Sequence, residues 1–225
     1  NRPAVLVLVG DLEEPAAFET LERHFGDVEP APRSTARPLS LQQDELTVRV
    51  AVPKAQAALG YVVPAPPPGL GDALAWRILL YVLTHGYEGR LGVEAISRRG
   101  LVYYIDNSYR SDGRAAWVAL KILVDPDKLP AMRSLLVRSL SELRRRPPTE
   151  AEIDEARQHL IGRWRSAAQS NEEISTKLAQ EWVIRRSLAT EEEFVAAVRS
   201  VSRQDVWGAI PDFIAGAVVV VEVPD

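Results

Sequence analysis

The sequence predicts an α+β fold: a mixed, mainly antiparallel sheet with helices packed on one face. Two observations carry this. Strand-like and helix-like stretches are segregated rather than strictly alternating, which argues against a doubly wound parallel sheet. In addition, residues 127–210 read as consecutive helices followed by a single apolar strand at Ala217–Val223.

Ala4–Val9 is an apolar run ended by Gly10-Asp11 and is expected to form a buried strand. Glu14–Phe25 follows as a helix. Pro15 suits its first turn, Phe18, Leu21 and Phe25 share a face, and Gly26 is a C-terminal stop. Residues 27–42 hold Pro30, Pro32 and Pro38 and show no apolar period. They read as an extended linker and a domain boundary, so residues 1–42 are assigned to the end of a preceding domain and 43–225 to a second one. The chain opens Asn1-Arg2-Pro3, without an initiator Met or a visible signal peptide, and is expected to be a piece of a longer protein.

Leu46, Val48 and Val50 alternate with polar residues and predict a strand over 45–52; Ala57–Val63 predicts a second, the two forming one edge of an antiparallel sheet. Pro64–Gly69 is a rigid connector. Leu70–His85 reads as a helix apolar on most sides, hence in the core, and Gly89–Arg99 as a more polar helix. Strands at 101–110 and 114–124 follow as an antiparallel pair, with Tyr103 and Tyr104 where the first leaves the helix. Asp125-Pro126 opens a helix over 127–145 that Pro147-Pro148 stops. Thr149-Glu150-Ala151-Glu152 has the form of a helix N-terminus and starts a helix to about 169. Residues 172–188, a helix opened by Thr190, and a short one capped by Ser202 and ending near Ile210 complete the helical layer.

Composition narrows the function. The 225 residues carry a formal charge of −4, so there is no electrostatic case for nucleic acid. The Arg144-Arg145-Arg146 and Arg185-Arg186 clusters have acidic neighbours and read as solvated helix faces. With no cysteine, disulfides and thiolate-held metals are excluded, while periplasm and cytoplasm both fit. No apolar run approaches the roughly 20 residues that span a bilayer.

The usual catalytic constellations are missing. His24, His85 and His159 have no second histidine at helical ligand spacing, so a zinc site within this chain is not expected. There is no Gly-x-Ser-x-Gly, and Gly86-Tyr87-Glu88-Gly89 lacks the Lys-Ser/Thr of a phosphate loop. Glu150 with Glu152, and Glu172 with Glu173, sit in helix first turns, where the dipole explains them. Asp106 is a lone strand acid, and the five tryptophans are scattered, which points to packing.

From residue 78 to 104 a pattern emerges: Ile78-Leu79, Gly86, Gly89-Arg90-Leu91, Arg98-Arg99-Gly100-Leu101-Val102-Tyr103. It resembles the C-terminal, non-catalytic half of the insulinase/pitrilysin/mitochondrial-processing-peptidase superfamily of zinc metallopeptidases. Val5–Asp11 resembles the strand and turn that end the family's first half, Thr149–Arg157 its "Thr-x-x-Glu-Leu-x-x-Ala-Lys" helix, and Thr190–Val206 its late "Val-Thr-x-x-Asp-Val" segment.

The resemblance implies an insulinase-like α/β half that packs against a catalytic half or subunit. It implies a contribution to a chamber wall around an unfolded peptide substrate, and a homo- or heterodimer interface. It places zinc in the partner half, on an H-x-x-E-H helix that this chain lacks. An Arg and a Tyr often help bind the substrate or the reaction's oxyanion there. Tyr103 matches the tyrosine, and its hydroxyl is the expected donor. The arginine's place falls on Ile96 or Ser97 by count, and Arg98, one or two positions away, is the nearest candidate. The alternatives are a purely structural assembly subunit of the same fold, or a peptide-binding module using a strand edge.

Overall fold

Strand β2 (Ala57–Ala65) buries Ala57, Leu59, Tyr61 and Val63 and leaves the residues between them half-covered. That is the period-two signature of a sheet with two unlike faces. The structure, a computed structural model, describes residues 5–28, 45–49, 55–111, 115–185 and 187–222. Strand β4 (Ala116–Val124) repeats the pattern and pairs antiparallel with β2, Leu59 opposite Ile122 and Tyr61 opposite Leu120, so both strands bury the same face. On the other side of β2 lies β5 (Ala217–Glu222), also antiparallel, with Tyr61 opposite Val218. β1 (Glu45–Arg49) runs parallel to β5, and β3 (Asp106–Ser111) antiparallel to β4. The order is β1-β5-β2-β4-β3, a mixed and mainly antiparallel sheet, as the sequence predicts.

Helices cover one face. α2 (Asp72–Thr84) buries Leu74, Trp76, Ile78, Leu79, Val82 and Leu83. It joins α4 (Leu129–Arg145), α5 (Glu150–Ser166), α7 (Glu191–Ser200) and α8 (Arg203–Phe213) in a single apolar cluster with the inward residues of β2, β4 and β5. Three of these helices begin with reciprocal caps. Thr149 with Glu152, Thr190 with Glu193 and Ser202 with Asp205 each exchange side-chain and backbone hydrogen bonds, satisfying donors that a helix start leaves open. Tyr61 ties sheet to helix: its hydroxyl donates to the Phe213 carbonyl at 2.6 Å and accepts from the Gly216 N–H at 2.8 Å. Trp76 packs edge-on to Phe213 beside it.

Five expectations need correction. Residues 5–9 are not in a strand, because a strand exists only as a ladder and none of the described strands pairs with them. α1 (Glu14–Phe25) forms as expected but buries nothing, and Phe18 is 63% exposed. β1 does not pair with β2, because β5, apolar from Ala217 to Val221, takes the place between them that suits an interior strand. The expected helix over 89–99 is a single α turn, α3 (Arg90–Gly92), that widens into a π-helix at Val93–Arg98. Residues 101–105 form a loop, not a strand: Gly100 at φ +56° turns the chain, and the Leu101 N–H closes back on the Ala95 carbonyl at 2.8 Å. α8 runs past Ile210 to Phe213, with Pro211 inside it. The proline-rich linker lies outside the described residues from 29 onward, as do 50–52 of the first expected sheet strand.

α6 (Asn171–Arg185) buries no residue fully. It stands at the rim of the helical layer and borders the cavity described below.

Candidate functional site

The segment between α2 and β3 carries the residues singled out by sequence, and its glycines explain its shape. A Cβ on Gly92 would lie 1.9 Å from the Gly86 carbonyl oxygen, so only glycine lets the chain fold back this closely. The fold-back aims Arg90 at the start of α5. Its Nε and one Nη grip both oxygens of Glu152 at 2.7 and 2.8 Å, and its other Nη donates to the Arg146 carbonyl at 2.5 Å. Bonded first by Arg90 and then by Thr149, the Glu152 carboxyl is held at about 2 despite partial burial. Arg90 is thus a structural clamp on the α4–α5 corner.

Arg98 and Tyr103 are not joined to each other by any hydrogen bond among the described residues. Arg98 pairs with Glu94, one turn back, at 2.5 Å, and Arg99 shares the same carboxylate at 3.3 Å. These bonds lower the Glu94 pKa. Tyr103 projects from the loop with 87% of its surface exposed, while its neighbours Val102 and Ile105 anchor the loop in the core. The ring is therefore held on a fixed support and presented to solvent.

Among the described residues, the helices of the core cluster leave the second face of the sheet uncovered. Leu46, Val48 and Leu123, exposed by 45%, 39% and 47%, stand on it. The registers place them there together with Ala58, Gly60, Val62, Ala119 and Val219. The same registers put Lys121 opposite Gly60 and Trp117 opposite Pro64 on this face, with Asp106 and Arg110 along its β3 edge, so exposed apolar side chains stand there beside charged ones.

On the helix side, sequence reasoning missed a cavity of about 550 Å³ between α2, α5, α6 and β3. His85 and His159, far apart in sequence, meet there with ring centroids 4.5 Å apart, and Tyr81 stacks on His85 at 4.2 Å. The Tyr81 hydroxyl donates to Glu155 at 3.1 Å, and burial followed by that bond pushes its pKa up to about 12. Burial, then His85 and Arg163 beside it, lower the His159 pKa. Trp164 stacks on Phe194 at 4.0 Å. The legible signal was Arg77, the one cation within Asp72–Thr84. Among the described residues no group of three or more His, Cys, Asp or Glu could hold a metal ion. No helix among them is long and apolar enough to cross a membrane.

Architecture and strand order together define an α+β domain, a mixed five-stranded sheet with helices packed on one face. Residues 3–160 match the family model of the peptidase M16 inactive domain, and the chain belongs to that family. The structure is similar to a peptidase M16 inactive domain from Pseudomonas fluorescens, with a TM-score of 0.79 at 19% identity over 96% of this chain and 53% of that one. It is also similar to a protease from Helicobacter pylori, with a TM-score of 0.74 at 19% identity over 95% and 54%. A chain of complex III2 from Candida albicans matches at a TM-score of 0.76 and 11% identity over 94% and 52%. The chain thus spans about half the length of these proteins. No curated protein sequence matches it.

Proposed function

We propose that this domain is the non-catalytic half of an insulinase-like zinc metallopeptidase. In this reading it packs with a catalytic half or subunit that carries the zinc and contributes one wall of a chamber for unfolded peptide. The carrying observation is the bare sheet face, where Leu46, Val48 and Leu123 stand in solvent while every helix in the core cluster packs on the opposite side. Such a surface offers apolar contact beside the Lys121 cation to an extended chain. Tyr103 adds an exposed phenol for a carbonyl, and Arg98 a cation already steadied by Glu94. The similarity to a complex III2 chain supports a second reading, a structural subunit of an assembly, in which the same face would be covered by protein rather than by substrate.

The test is a titration of a fluorescent unfolded peptide into the chain, as wild type, Tyr103→Phe and Leu123→Lys. Saturable binding weakened by both substitutions is expected; equal affinity for all three would overturn the contact roles. A peptidase assay on the chain alone with added zinc is expected to show no turnover, and zinc-dependent cleavage would overturn the assignment of zinc to a partner.

A further inference from the structure

We propose that the cavity between α2, α5, α6 and β3 binds a small organic anion, a carboxylate or phosphate group carried on a flat apolar body. Four cations line it: Arg77 from α2, Arg163 from the last turn of α5, and Lys177 and Arg185 from α6. Among the described residues none of the first three has an ion pair or a hydrogen bond to a carboxylate, whereas thirteen other basic groups do form ion pairs. The one carboxylate on the lining, Glu181, is engaged through Oε2, while its Oε1 has no partner among the described residues. Arg185 holds it at 2.8 Å and the Ala189 N–H donates to it at 3.1 Å. The neighbouring acids are also engaged, Glu155 with Tyr81 and Glu191 with Arg165. With Glu181 set against Arg185, the lining keeps an excess of positive charge from Arg77, Arg163 and Lys177, with Glu181 and Glu191 within electrostatic reach of Lys177.

Their placement suits a ligand. Arg77 is exposed on the cavity lining, its guanidinium 5.7 Å from the centre of the Tyr109 ring. Arg163 and Arg185 act on it as like charges, which an anion placed between them would offset. The Lys177 amine is fixed 3.5 Å over the Trp164 ring. Guanidinium forks match the two oxygens of a carboxylate or phosphate. Trp164 and Tyr109 supply flat apolar walls, and the volume suits a ligand of small-molecule size. The cavity lies on the helix-covered side of the sheet, because Tyr109 pairs opposite the inward Val118. It is therefore separate from the bare face, and either reading can fail without the other.

The experiment is calorimetric titration of the chain, with tryptophan fluorescence as a second readout, using phenyl phosphate, phenylacetate, inorganic phosphate and the neutral phenylacetamide. Saturable one-to-one binding of phenyl phosphate or phenylacetate is expected, weakened about tenfold or more in Arg77→Gln and in Arg163→Gln. The stronger of the two aromatic anions identifies the headgroup, and weaker binding of inorganic phosphate shows the share of the apolar body. Arg163 is exposed at a helix end, so its variant carries the test if Arg77→Gln does not fold. The proposal is overturned if neither aromatic anion saturates below ~10 mM, if phenylacetamide binds as well as phenylacetate, or if the folded variants bind as wild type does.

Discussion

Arg90 and Glu152 form a two-pronged pair, with bonds of 2.7 and 2.8 Å between a guanidinium on the first turn of α3 and a carboxylate on the first turn of α5. The same carboxylate accepts the Thr149 N–H at 2.8 Å, so one group both caps a helix and anchors a residue far away in sequence. Arg90→Lys keeps the charge but loses the fork and the bond to the Arg146 carbonyl. It should cost about 1–2 kcal/mol in urea denaturation, and Arg90→Ala about 2–4 kcal/mol. A double-mutant cycle with Glu152→Ala should return a coupling above ~1 kcal/mol, and a coupling near zero would show the pair to be incidental.

The same pair makes stability depend on acid. Glu152 has its pKa lowered in the folded state to about 2. Its contribution is therefore fully present above the unfolded value near 4.5 and is lost as pH falls toward 2. Because the group is only partly buried, the loss should be about 1–2 kcal/mol after allowance for solvent screening. Urea midpoints measured from pH 6 to 2.5 should fall less steeply for Glu152→Gln than for wild type. Parallel curves would remove Glu152 from the acid response.

Tyr61→Phe isolates one oxygen. The substitution leaves the Phe213 carbonyl and the Gly216 N–H without their partner where little water can replace it. A loss of about 2 kcal/mol is expected in chemical denaturation, with the fold retained. Gly216→Ala should be at least as harmful, because its Cβ would meet the Tyr61 ring at 2.5 Å.

The two faces of the sheet should answer differently to the same change. Leu59→Ala removes a fully buried side chain and should cost about 2–4 kcal/mol. Leu123→Ala, on the bare face, should shift stability by no more than ~0.5 kcal/mol. Similar losses at both positions would mean that the outer face is covered in solution.

Much of the fold was legible because its signals are local. Thr149, Thr190 and Ser202 announce three helices by their capping chemistry, and each cap is formed. The strands expected at 57–63 and 114–124 form as β2 and β4. Strand order was not legible, since nothing in residues 45–65 tells that a strand more than 150 residues later will separate β1 from β2. The loop at 101–105 looked like a strand because Val102, Tyr103, Tyr104 and Ile105 favour one, and the left-handed turn at Gly100 overrode that preference. Arg90 was legible as part of a motif, but its clamp role depended on a partner across a corner. The helix-side cavity was invisible for the same reason: Arg77, Arg163 and Lys177 lie on three different helices, and only packing brings them to one space.

The position of β5 bears on synthesis. Among the described residues β1 has β5 as its ladder partner, and β2 needs β5 along one of its two edges. Both early strands must therefore wait, unpaired on those edges, while the helical layer leaves the ribosome. The sheet closes only when residues 217–222 arrive and wedge between them. Assembly of this sheet is thus a late event with large loops to close. During the delay the apolar edge of β2 is a place where a chaperone would act or aggregation would start.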